Sequence, residues 1–225
     1  MKKSILFWCF VIVLILELIF LSNPEWTSFR AVTKPLLVST LLCYFLSHRT
    51  DPKTKLWISM ALVFSLLGDI LLLFTGRSEI YFMLGLVAFL LAHIFYIVQF
   101  SRNRNTTQNF LKPLVPLLLF GALFFYFLKD GFGALILPIG LYMGVILTMV
   151  LFALLRKGAV LKKSFEFVMA GAILFLISDG ILAIDKFNDP FSFSNVLIMG
   201  SYGLAQLLIV LGILEEQKIR TPQVP

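Results

Sequence analysis

Eight apolar runs, each about as long as a helix that crosses a bilayer, constrain this chain more than any other feature. Such a helix needs roughly 20 apolar residues, with a range of about 17–25. Segments at about 4–21, 31–47, 56–74, 80–100, 111–128, 134–155, 165–184 and 191–214 meet that requirement. They are continuously apolar, without the two-residue alternation of barrel strands, so helices are the expected form. Breakers fall between them at Asn23-Pro24, Asp51-Pro52, Gly76, Asp130-Gly131 and Asp189-Pro190.

Composition agrees. Charged residues make up 14% of the chain, against about 25% in soluble domains, too few to coat a water-facing surface. The 24 phenylalanines cannot all be hidden in a core of this size, and a bilayer removes the difficulty. No stretch remains for an extramembrane domain. Residues 1–225 therefore read as a single transmembrane helical domain, an all-α polytopic bundle of about eight helices. The opening Met1-Lys2-Lys3 and its apolar run resemble a signal peptide. That run outlasts the usual ~7–15-residue core and no small-x-small cleavage site follows, so a retained first helix is expected.

The net charge of +7 does not point to nucleic acid, because the basic residues are scattered over short loops. Their distribution instead gives orientation. Lys2, Lys3, Arg49, Lys53, Lys55, Arg102, Arg104, Lys112, Arg156, Lys157, Lys162, Lys163, Lys218 and Arg220 fall on one side. Only Arg30, Lys34, Arg77, Lys129 and Lys186 fall on the other. The positive-inside rule makes the richer side cytoplasmic and predicts both termini inside. The expected location is the bacterial cytoplasmic (inner) membrane. Cys9 and Cys43 lie inside apolar segments, which argues against a disulfide scaffold. An internal echo also runs through the chain. Ser65-Leu-Leu-Gly-Asp69 with Leu91-Ala-His93 is answered by Ser178-Asp179-Gly-Ile-Leu with Leu204-Ala-Gln206, as a parallel four-plus-four repeat would require.

Polar groups inside the spans carry the chemistry. An ionisable side chain at mid-bilayer costs about 2.5–3.5 kcal/mol on insertion scales and normally faces the bundle interior. Asp69 and Asp179 stand about 20 Å along helices that run in the same direction, at 1.5 Å per residue, and so reach matched depth in the outer half. They read as a shared site, or more blandly as interhelical clamps bonded to Ser65 and Ser178. Lys34, ahead of Pro35 near the same boundary, reads equally as a snorkelling interface lysine or as a counter-ion for a carboxylate or phosphate. Glu17 reads as snorkelling. His93 and Tyr96 are neighbours on the fourth segment, and Tyr202 and Gln206 share a face of the eighth. All four also fit an interhelical hydrogen-bonding role. Gly140 with Gly144, and Gly85 with Ala88 and Ala92, read as close-packing stripes, and Pro138 as a bend in the sixth segment. With only His48 and His93 present, a three-histidine zinc site cannot be built. There is no nucleophile elbow, Walker loop or dinucleotide fingerprint.

Lys34-Pro35-Leu36, Ser65-Leu-Leu-Gly-Asp69-Ile-Leu, Gly85 with Ala92-His93 and Tyr96, Leu174-Phe-Leu-Ile-Ser178-Asp179, and Tyr202-Gly-Leu-Ala-Gln206-Leu-Leu-Ile occur in that order. Together they resemble the YhhN-type lysoplasmalogenase family over nearly the whole chain. One departure is Ala92, where the family pattern often has a serine. The resemblance implies hydrolysis of the vinyl ether bond of lysoplasmalogens to a fatty aldehyde and glycerophosphoethanolamine or glycerophosphocholine. No metal or other cofactor is implied; the partners are a lysophospholipid substrate and the bilayer.

The implied reaction suits the buried acids. Protonating the β-carbon of a vinyl ether yields an oxocarbenium ion that water captures, and glycosidases divide comparable labour between two carboxyl groups. Asp69 and Asp179 are expected to be that pair, with Lys34, His93, Tyr96, Tyr202 and Gln206 lining the substrate site. The tail is expected to enter sideways between Phe- and Leu-rich helices. The competing expectation is a proton-coupled transporter or lipid carrier, which uses buried acids in the same way. A third is a structural or sensory membrane protein.

Overall fold

The computed structural model describes residues 2–188 and 191–220, so the Asp189-Pro190 breaker lies outside the described residues. Among the described residues eight helices are long and apolar enough to cross a membrane. They are α1 (Lys2–Ser22), α2 (Arg30–Leu46), α3 (Pro52–Leu72), α4 (Glu79–Ser101), α5 (Leu111–Leu128), α6 (Ile136–Leu154), α7 (Lys162–Phe187) and α8 (Ser194–Arg220). Short 3₁₀ helices cover Pro24–Phe29, Lys129–Gly131 and Gly133–Leu135. Large apolar side chains such as Leu119, Phe127 and Leu137 are 60–76% exposed. That is the surface of a protein solvated by lipid.

Most helix ends fall within two residues of the apolar boundaries. The larger differences have local causes. Asp51-Pro52 does more than break the chain: the Asp51 carboxylate accepts from the backbone N–H groups of Lys53 and Thr54 at 3.1 Å each. Pro52 takes the first helical position, where its missing N–H costs nothing, so α3 starts four residues before the apolar run. Helix α8 continues past Leu214 because its last turns bury Glu216 and Gln217 against neighbouring loops. Pro138 lies in the first turn of α6, where it interrupts no helical hydrogen bond. The bend expected there has no basis.

Neighbouring helices follow a pattern that occurs twice. In the first half α2 packs on α3 and α3 on α4, and in the second α6 packs on α7 and α7 on α8. The halves are joined by α2 against α8 and α4 against α6. Buried residues of every helix except α5 make one hydrophobic core. Helix α5 buries only Gly121 and Leu128 and rides on the outside.

Close backbone approach comes from small residues. A Cβ on Gly171 would stand 2.8 Å from the Ala205 carbonyl oxygen, and one on Gly212 2.9 Å from that of Ser164, so α7 and α8 touch along their backbones. Gly85, Ala88 and Ala92 do line the buried face of α4 as expected. Gly140 meets the Phe125 ring of α5, 3.4 Å from a Cβ built on it, but Gly144 does not serve this purpose, since no heavy atom lies within 4 Å of its Cβ. Gly171→Val should therefore cost about 1–3 kcal/mol through forced backbone separation. The readout is a lowered thermal midpoint in detergent, with Gly144→Ala as the neutral comparison.

Polar contacts also define the two ends of the bundle. The Asp51 N–H donates to Gln217 Oε1 at 3.1 Å, and Glu216 takes Asn103 at 2.5 Å and Arg156 at 2.6 Å. The loops after α2, α4 and α6 and the end of α8 thus share one face. It is the face that carries most of the lysines and arginines.

Candidate active site

Helices α3 and α8 present matched polar pairs one turn apart. Tyr202 donates to Asp69 Oδ2 at 2.8 Å, and Gln206 Nε2 donates to Ser65 Oγ at 2.9 Å. The pairing 65–206 and 69–202 is the register of two antiparallel helices whose i and i+4 residues face each other. Tyr96 of α4 donates in turn to Gln206 Oε1, extending the chain of bonds to a third helix. All of these groups are buried. Neither serine binds an aspartate, because Ser65 is taken by Gln206 and Ser178 donates to the Ile198 carbonyl at 3.0 Å.

Asp179 on α7 is held by different partners. Tyr142 of α6 donates to its Oδ2 at 2.5 Å, and His93 Nε2 of α4 lies 3.8 Å from the same oxygen. The His93 ring is fully buried and packs edge-on against Phe175 and Tyr142. Each aspartate is thus contacted by a helix from the other half of the chain, Asp69 by α8 and Asp179 by α4.

Lys34 is 6% exposed and its Nζ lies 3.9 Å from Asp69 Oδ1, so it faces a carboxylate instead of reaching for water. Glu17, expected to snorkel, is fully buried. Its carboxylate accepts from Arg30 Nε at 3.0 Å and from the Thr33 hydroxyl. Two partners on the first turn of α2 supply the compensation that a buried charge requires.

One cavity of about 260 Å³ brings the two aspartates together. Asp69, Asp179, Lys34 and Tyr202 line it, with Leu72, Phe82, Phe89 and Leu182 as apolar wall. Arg30, Lys186, Asp185 and Asn195, near helix ends, make its polar end. His93, Tyr96 and Gln206 are not among its lining residues; they lie behind the residues that are. Tyr142, Arg30 and Lys186 escaped the sequence reading. The first was one tyrosine in an apolar run, and the other two were counted only as loop charge. The cavity lies toward the end of the bundle opposite the basic face. Chemically, it can present a carboxyl pair and hydroxyl donors to a ligand with an anionic end and an apolar end.

A family model described as the YhhN family matches residues 29–213. The lysoplasmalogenase TMEM86A of Bos taurus is 30% identical over 206 residues, covering 88% of this chain and 82% of that protein. TMEM86A of Homo sapiens, also a lysoplasmalogenase, is 29% identical over the same shares. The lysoplasmalogenase TMEM86B of Mus musculus is 30% identical over 200 residues, covering 88% of this chain and 80% of that protein. No solved structure matches.

Proposed function

The chain belongs to the YhhN family, and from that membership we propose that it hydrolyses the vinyl ether bond of lysoplasmalogens. The products are a fatty aldehyde and glycerophosphoethanolamine or glycerophosphocholine. The reading draws on the activity its relatives are named for and on one structural observation. Asp69 and Asp179, from two different helix pairs, line a single cavity together with Arg30, Lys34 and Lys186 and with apolar side chains such as Phe82 and Phe89.

The substrate's phosphate lies at the cationic end, with Arg30, Lys34 and Lys186, and its chain points past Asp179. In a vinyl ether the β-carbon is on the chain side of the bond and the oxygen on the glycerol side. Asp179, nearer the apolar walls, therefore gives its proton to the β-carbon. The C=C π electrons form the new C–H bond, and the α-carbon becomes an oxocarbenium ion. Asp69, a carboxylate beside Lys34, stabilises that cation electrostatically. It also takes a proton from the attacking water. As the resulting hemiacetal breaks its C–O bond, Asp69 returns its proton to the glycerol oxygen and Asp179 takes the hemiacetal hydroxyl proton, giving the aldehyde and a free hydroxyl with both carboxyl groups restored. Across the cycle one water is consumed. Tyr142 and Tyr202 hold the two carboxyl groups in place, and His93, Tyr96 and Gln206 act as positioning residues behind them. The transporter alternative gains nothing from these relatives. By the positive-inside rule the basic face is cytoplasmic and the cavity lies in the opposite half of the membrane.

Detergent-purified protein should release fatty aldehyde from an alkenyl lysophosphoethanolamine and none from its saturated alkyl twin. Protonation at carbon needs the double bond. Equal turnover of both lipids, or turnover of neither by monodisperse protein, rejects the proposal.

A further inference from the structure

Asp179 borders more than the polar cavity. It also lines an apolar space of about 50 Å³ walled by Leu72, Phe82, Leu86 and Phe89. A second apolar space, of about 60 Å³, is walled by Phe120 and Phe124 of α5 and includes Asp179 again. The two spaces share Ile139, Tyr142, Asp179 and Ala183, and the first shares Leu72, Phe82, Phe89, Asp179 and Leu182 with the polar cavity. The first apolar space thus adjoins both the polar cavity and the second space, which Phe120 borders. Among the residues lining the two apolar spaces, Asp179 and the tyrosine bonded to it are the only polar ones. At the far end Phe120 is 48% exposed, on the helix that contributes least to the core.

We propose that the substrate's hydrocarbon chain leaves Asp179 through the seam between α5, α6 and α7, and that Gly180 sets how freely that seam accepts it. The inference rests on the lysoplasmalogen reading. About 10–15 Å³ of such space holds one water-sized group, so the two spaces take only the first carbons of a long chain. The remainder lies in the bilayer beyond Phe120. Gly180 adjoins Asp179 in sequence and lines the second space. A Cβ there would stand 3.6 Å from the Phe124 ring, an ordinary contact. Alanine fits; leucine puts its branches where the chain must pass. Ala183, which lines both spaces, is the second position where added bulk closes the route.

The test compares hexadecenyl and butenyl lysophosphoethanolamines as substrates for wild type, Gly180→Leu and Ala183→Leu. Gly180→Leu should lower the long-to-short ratio of kcat/KM at least tenfold, because the short chain ends before the obstruction, whereas Ala183→Leu, which also intrudes on the first space, should lower kcat/KM for both chains. In parallel, a saturated alkyl lysophosphoethanolamine carrying a diazirine midway along its chain should label wild type in the segments containing Phe120–Phe124 and Gly180–Ala183. Label there should be lost in Gly180→Leu. An unchanged ratio in Gly180→Leu, label confined to α1 or α8, or seam label equally strong with a diacyl lipid probe would each overturn the route. Labelling does not depend on turnover. Seam label without aldehyde release would keep the route and remove the vinyl-ether reading, and aldehyde release with label elsewhere would do the reverse.

Discussion

Asp69→Asn and Asp179→Asn should each lower aldehyde release by about 10²–10⁴-fold, the range for loss of a positioned general acid or base. The substitution is nearly isosteric, and an amide oxygen still accepts the bond that Tyr202 or Tyr142 donates. Both variants should accordingly insert and remain monodisperse, with wild-type helicity by circular dichroism. What they lose differs. Asp179→Asn has no acidic proton to give to carbon, while Asp69→Asn leaves the cationic intermediate and its water unassisted beside Lys34. If the two groups act as a unit, the double variant will be little worse than either single one. Full activity in either single variant would exclude the carboxyl-pair mechanism.

The second large effect concerns stability and lies at the opposite end of the bundle. Arg156 is fully buried and its Nη2 lies 2.6 Å from Glu216 and 3.0 Å from Ser164. Ser164 in turn donates to the Gly212 carbonyl at 2.7 Å. These bonds tie the end of α6 to α7 and α8. Removing one member of a buried ion pair typically costs about 3–5 kcal/mol. Arg156→Met should therefore sharply lower the thermal midpoint and the yield of folded protein. Combining it with Glu216→Leu should recover part of the loss, since an apolar pair leaves no stranded charge. A double variant as unstable as the sum of the singles would show that the two side chains are not coupled.

The apolar runs and the charge between them made the helices legible. So did Asp69 and Asp179, because a carboxylate deep in an apolar run is conspicuous in one dimension. Lys34 and Glu17 show the limit. Each sits within reach of a membrane boundary, where snorkelling and burial demand the same residue type, and only the neighbour decides between them. For Glu17 that neighbour is Arg30, thirteen residues on and across a turn; for Lys34 it is Asp69, on another helix. Tyr142 was invisible for a related reason, since a tyrosine in a span gains meaning only when its hydroxyl is seen to meet a carboxylate.

By itself the sequence determined that the chain crosses a membrane eight times, which ends share a face, and which acids are too costly to be incidental. These follow from hydropathy and charge, which add up residue by residue along the chain and need no partner. The tertiary structure decided that the two aspartates line one cavity, that His93, Tyr96 and Gln206 stand behind it, and that two apolar spaces border Asp179. In a bilayer, lipid-facing and helix-facing surfaces are both apolar, so the pattern along a span does not say which face meets which neighbour. Packing between helices, with small residues such as Gly171 and Gly212 fixing how closely they approach, supplies that information.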